Sequence, residues 1–143
     1  MKKLFATLML TGALALSGCM MDMVSANDVK ASASGAGYSA DIYTGEEAIK
    51  VYFPALELEN TNVQDAVVAM KDTQDTANKD FLLVLVFTNA DEPEAFLNKG
   101  DNIRTFNAYI EGNVGSSLTG KMGMHNNVAY AGSETSVRIA LGI

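Results

Sequence analysis

Phe81-Leu82-Leu83-Val84-Leu85-Val86-Phe87, followed by Thr88-Asn89, is the stretch on which the reading of this chain turns. The run is continuously apolar but far shorter than the roughly 20 residues a spanning helix needs. It therefore reads as a central strand covered on both faces. Asp91-Glu92-Pro93 then turns the chain.

Before this strand, Ala66, Val68 and Met70 fall on one side in a period of two, so residues 63–78 read as a short strand and a polar loop. The loop is Lys71-Asp72-Thr73-Gln74-Asp75-Thr76-Ala77-Asn78-Lys79-Asp80, poor helix material because Asp, Thr and Asn compete for backbone hydrogen bonds. Val63, Ala66, Val67 and Met70 also fit a helical spacing. The alternative is therefore an α+β fold with one helix near 63–78. Earlier still, Ile49, Val51 and Phe53 alternate with Lys50 and Tyr52, and Leu56 and Leu58 resume after Pro54, as a bulged or edge strand would. After the central run, Ile103 to Ile110 reads as another strand. Gly112 to Gly123 is a glycine-rich connection with short strands, Val128 to Tyr130 a brief apolar piece, and Val137, Ile139, Leu141 and Ile143 a last strand. Short strands between Gly, Asn and Pro signals predict an all-β fold, a single β-sandwich over residues 41–143.

The stretch from Phe81 to Pro93 resembles the central strand and acidic, proline-containing turn of telokin-like, immunoglobulin-fold domains in small bacterial lipoproteins. That resemblance covers about thirteen residues. It implies an immunoglobulin-like sandwich with a binding or structural role, and fold alone fixes no activity.

The N-terminus carries a second resemblance. Lys2-Lys3 gives a positive start, Leu4 to Leu16 an apolar run, and Leu16-Ser17-Gly18-Cys19 ends it with small residues before a cysteine. This resembles a bacterial lipoprotein signal. It implies that residues 1–18 are removed and that Cys19 is acylated (palmitate among the chains) and becomes the mature N-terminus. Each buried methylene adds about 0.8 kcal/mol, so two or more acyl chains anchor stably. Met20, rather than aspartate, follows the cysteine, which in lipoproteins of the enterobacterial kind implies the outer membrane, facing the periplasm or the cell surface. Residues 19–40, with Ser25-Ala26-Asn27 and Ala31-Ser32-Ala33-Ser34-Gly35-Ala36-Gly37, read as a flexible tether.

Cys19 is the only cysteine, so an acylated chain has no thiol left for a disulfide, a zinc site or a nucleophile. Loss of Lys2 and Lys3 leaves eight basic against seventeen acidic residues, a net charge of −9. That charge opposes binding to nucleic acid and anionic headgroups and favours a cationic partner. His125 is the only histidine, and no Gly-x-Ser-x-Gly elbow precedes a helix. The carboxylates of Glu46-Glu47, Glu57/Glu59 and Asp91-Glu92/Glu94 read as a solvated surface. The chain is thus expected to be no enzyme and to need no cofactor.

The one chemical alternative is copper. Met122-Gly123-Met124-His125 groups two thioethers and an imidazole, a donor set that suits Cu(I) if a loop gathers all three. The calcium-loop spacing fails at Ala77 and Leu83. Taken together, the residues predict a membrane-anchored envelope lipoprotein that binds or scaffolds another envelope protein. The loops Lys71–Asp80 and Gly112–His125 are the first places to look for contact. A periplasmic copper carrier and an inhibitor of a cationic cell-wall hydrolase are the alternatives.

Overall fold

The computed structural model describes residues 22–143. The expected signal at 1–18 and the expected acylation site Cys19 lie outside the described residues. One five-stranded sheet organises the domain: β1 (Ser39–Thr44), β2 (Val63–Lys71), β3 (Asp80–Phe87), β4 (Gly120–His125) and β5 (Val128–Ser133). The order is β1-β2-β3-β5-β4, with every neighbouring pair antiparallel. Five α-helices accompany it: α1 (Ala26–Gly35), α2 (Glu46–Tyr52), α3 (Glu92–Leu97), α4 (Asn102–Asn113) and α5 (Glu134–Leu141).

All eight residues of β3 are buried, as its composition requires. Their alternation feeds two cores. Phe81, Leu83, Leu85 and Phe87 meet Ile49 of α2, Phe53 at its C-cap, Phe96 of α3 and Phe106 of α4 on the front face. On the back, Leu82, Val84 and Val86 meet Ala26, Val29 and Ala33 of α1 and Val137 of α5. The fold is therefore mixed α/β, one sheet between two helical layers, and the expected pair of packed sheets is corrected. A sandwich strand buries one face against its partner sheet, whereas β3 is apolar on both sides and draws helices to each.

Residues 63–78 match the expected strand and polar loop: β2 is followed by an extended stretch and one 3₁₀ turn at Thr76–Asn78. Three other segments are corrected from strand to helix. In α2, Ile49 and Phe53 are buried four residues apart while Val51 is 75% exposed, so the helical period wins over alternation. Glu46 and Glu47 in its first turn and Lys50 in its last complement the helix dipole. In α4, Asn102 and Phe106 point inward with Tyr109 and Ile110 packed beside them, and Ile103 is left exposed. In α5, Ser133 caps the start by accepting from the Ser136 amide at 2.9 Å, and Gly142 closes the end at φ +76°. Asp91-Glu92-Pro93 also opens a helix, α3, with proline in its first turn, where a missing amide proton costs nothing.

The expected tether is corrected as well. From Asp22 onward it belongs to the domain. Ser25 accepts from the Asp28 amide at 3.1 Å and starts α1, whose Ala26, Val29 and Ala33 lie against the back of the sheet. A helix this short and alanine-rich is marginal alone; packing supplies its stability. Gly37, at φ +92°, then turns the chain into β1, a conformation a side chain would strain.

Candidate functional site

The sheet has two ends with different characters. At the near end, where β3 finishes, the chain leaving the N-terminus is latched to the turn between β4 and β5. Asn127, 2% exposed, accepts from the Val24 amide at 2.7 Å. Its own side-chain amide donates to the carbonyls of Val24 at 3.0 Å and Phe87 at 3.1 Å. Beside it, the Asn126 side-chain amide donates to the Asp22 carbonyl at 2.7 Å.

At the far end, where β3 begins, the two expected contact loops come together. The Gly115 amide donates to the Lys79 carbonyl at 2.6 Å and the Ser117 amide to the Ala77 carbonyl at 2.8 Å, while the Ser117 hydroxyl donates to Asn78. Lys71–Asp80 and the start of Gly112–His125 thus form one surface, carrying exposed Asp72, Thr73, Gln74, Asp75 and Ser116. β3 spans seven residue steps, so the ends stand about 23 Å apart at roughly 3.3 Å per residue.

The far-end surface continues into an open cleft of about 460 Å³ on the front of β1 and β2, lined by Ser39, Asp41, Tyr43, Tyr52, Met70 and Lys71 among others. The Tyr43 and Tyr52 rings lie 4.0 Å apart, tilted by 31°, and Tyr52 is 57% exposed. The carboxylates of Asp41 and Asp72, the Lys71 ammonium and an aromatic platform are suited to recognition of a polar ring or peptide side chain.

Beneath this end lies a buried polar network that positions it. Asp80 accepts from the Tyr38 hydroxyl at 2.6 Å, from the Phe81 amide at 2.8 Å and from the Ser133 hydroxyl. Ser136 in turn donates to the Phe81 carbonyl at 3.0 Å. Burial, then the hydrogen bond and charge of Asp80, push the Tyr38 pKa well above its ordinary value; burial raises Tyr109 and Tyr130 too. A raised pKa means the fold favours the neutral phenol. Its stabilisation is complete below about pH 10, where unfolded tyrosine is still protonated, and is lost as pH rises from there through the folded values. The domain should accordingly lose stability above about pH 10, and Tyr38→Phe should lessen that loss. Denaturant midpoints on either side of that pH check it.

The copper candidates are not gathered. Met122 and Met124 pair with Ala131 and Ala129 on the front face, whereas His125 pairs with Val128, a back-face residue. Residues 120–125 form a regular strand rather than the loop that copper binding would need, and strand alternation sends the imidazole away from the thioethers. Among the described residues, no group of three His, Cys, Asp or Glu side chains could hold a metal. The carboxylate pairs are scattered: Glu46 and Glu47 start α2, Glu92 and Glu94 start α3, and Glu57 accepts from the Asp101 amide at 3.1 Å.

The residues that organise both ends escaped the sequence reading. Asn126-Asn127 between two apolar pieces is a turn signal that went unused, and Asp80, a carboxylate heading an all-apolar strand, marked a buried acceptor. No family model, curated protein or solved structure matches the chain.

Proposed function

We propose that this is a lipid-anchored protein of the bacterial envelope, outer membrane by preference, whose domain acts by binding another envelope protein. The observation that carries the proposal is the run from Lys2-Lys3 through the apolar segment to Leu16-Ser17-Gly18-Cys19. The joined loops of the far end and the adjoining tyrosine cleft are the contact surface. Loops held on a rigid scaffold are where binding residues concentrate. A net charge of −9 favours a partner with a basic face, a cationic cell-wall hydrolase among them. Acylation raises the local concentration of the domain at the membrane, turning a search in volume into a search along a surface.

The test places a photocrosslinking residue at Gln74 in the full-length protein expressed in a bacterial host. Mass spectrometry should find a diacylglyceryl adduct on Cys19, and the crosslink should yield one discrete adduct that is lost in Cys19→Ser. An unmodified thiol at Cys19, or adducts indifferent to acylation, would overturn it.

A further inference from the structure

Resting on the anchor proposed above, we infer that the acylated domain stands end-on with its near end against the lipid bilayer. The far-end loops then face away from the membrane, and the tyrosine cleft runs down the side of the domain, with Tyr43 level with Leu85 near its lower end. The latch on residues 22–24 sets the distance to the lipid. Asp22 is held by Asn126 and Val24 is gripped on both sides by Asn127, so the chain is fixed to the domain from residue 22 onward. Only Met20 and Met21 stand between it and Cys19. Three Cα–Cα steps of about 3.8 Å reach at most about 11 Å. A domain on so short a leash cannot stand off from the lipid.

The near end suits that position. Met23 and Met124, 51% and 50% exposed, flank the latch and offer flexible apolar side chains to the boundary between headgroups and acyl chains. No described helix is long and apolar enough to cross the membrane, so the contact is superficial. Charge selects the upright pose over a recumbent one. A body with seventeen acidic and eight basic residues is repelled by anionic headgroups and gains by keeping its length in solvent. The far-end loops are then held about 23 Å above the near end by the length of β3. A partner must present its site at that height, either in the same membrane or close over it.

The experiment uses the acylated, full-length protein in vesicles of phosphatidylethanolamine and phosphatidylglycerol containing a nitroxide on the headgroup. With Cys19 in thioether linkage, an introduced cysteine is the only free thiol. A fluorophore at Thr88→Cys, beside the latch, should be quenched several-fold more than one at Gln74→Cys, and Gln64→Cys, also at the near end, should behave like Thr88→Cys. Inserting twenty Gly/Ser residues between Met21 and Asp22 should remove the difference. Equal quenching at both ends in protein that floats with the vesicles overturns the pose and leaves the anchor standing. Protein that carries no acyl chain and does not float overturns both.

Discussion

Asp80→Ala is expected to destabilise the domain by about 4 kcal/mol, enough to remove a large part of the roughly 5–15 kcal/mol that holds a domain of this size. The carboxylate is 6% exposed at the start of the central strand and gathers three donors from three parts of the chain. Tyr38 brings the connection from α1 to β1, Phe81 is the strand itself, and Ser133 is the cap of α5. Alanine leaves the Tyr38 and Ser133 hydroxyls buried without an acceptor, each stranded donor costing about 1–3 kcal/mol. The melting temperature should fall by about 15 °C at neutral pH, followed by circular dichroism. Tyr38→Phe removes one donor and strands a single carboxylate lone pair, so its cost should be nearer 1–2 kcal/mol. Because the two residues share one bond, the double variant should be less destabilised than the sum of the singles. An unchanged melting temperature in Asp80→Ala would mean that the network does not carry the packing of α1 and α5 onto β3.

The parts of this fold that were legible in the sequence are those where a single physical requirement dominates. Phe81 to Phe87 has no polar side at all, and only a fully covered strand satisfies that. Lys71 to Asp80 has almost no apolar side, and it forms the polar connection. Between these extremes, composition fits two templates. Ile49, Val51 and Phe53 alternate, yet Ile49 and Phe53 also stand one helical turn apart; Gly45 and the two glutamates after it settle the matter locally. Ile103 to Ile110 read in twos puts polar residues on both faces, a sign that the period was wrong. The larger error followed from not drawing the consequence of β3. A strand apolar on both sides needs cover on both, which the mixed segments around it can give only as amphipathic helices.

Residues 26–35 were illegible for a different reason: their alanines and serines bury too little to fold alone, and only contact with the sheet makes them a helix. The candidate site fared likewise. Lys71–Asp80 was readable as a loop, whereas of Gly112–His125 only Val114 to Thr119 is one, the rest belonging to α4 and β4; the union of the two loops through Lys79 and Gly115 is a tertiary fact without a local signal. His125, a potential ligand beside two methionines, is turned away by nothing more than the pleat.

Asn127→Ala should separate two properties, the stability of the domain and, with Cys19 acylated as proposed, the length of its leash. The side chain imitates a peptide group, accepting from Val24 N–H and donating to Val24 C=O, and so extends the hydrogen bonding of the sheet to a residue that belongs to no strand. Its second donated bond, to Phe87, holds the end of β3. Removing all three should cost about 2–4 kcal/mol, less than the Asp80 change because the freed groups of Val24 can reach water. Asn126→Ala, which loses one exposed bond to Asp22, should cost less than about 1 kcal/mol. The more telling readout is local. Amide exchange at Val24 should quicken far more than at Val84 in the centre of β3, and a protease should cut between Asp22 and Ser25 while α1 stays packed. Release of residues 22–24 would leave six Cα–Cα steps between Cys19 and Ser25, and the reach of the proposed anchor would double to about 23 Å. In vesicles, the contrast in quenching between Thr88 and Gln74 labels should shrink accordingly, without loss of flotation. Unaltered exchange at Val24 would show that the segment is held by something other than this asparagine, and the short leash would need another cause.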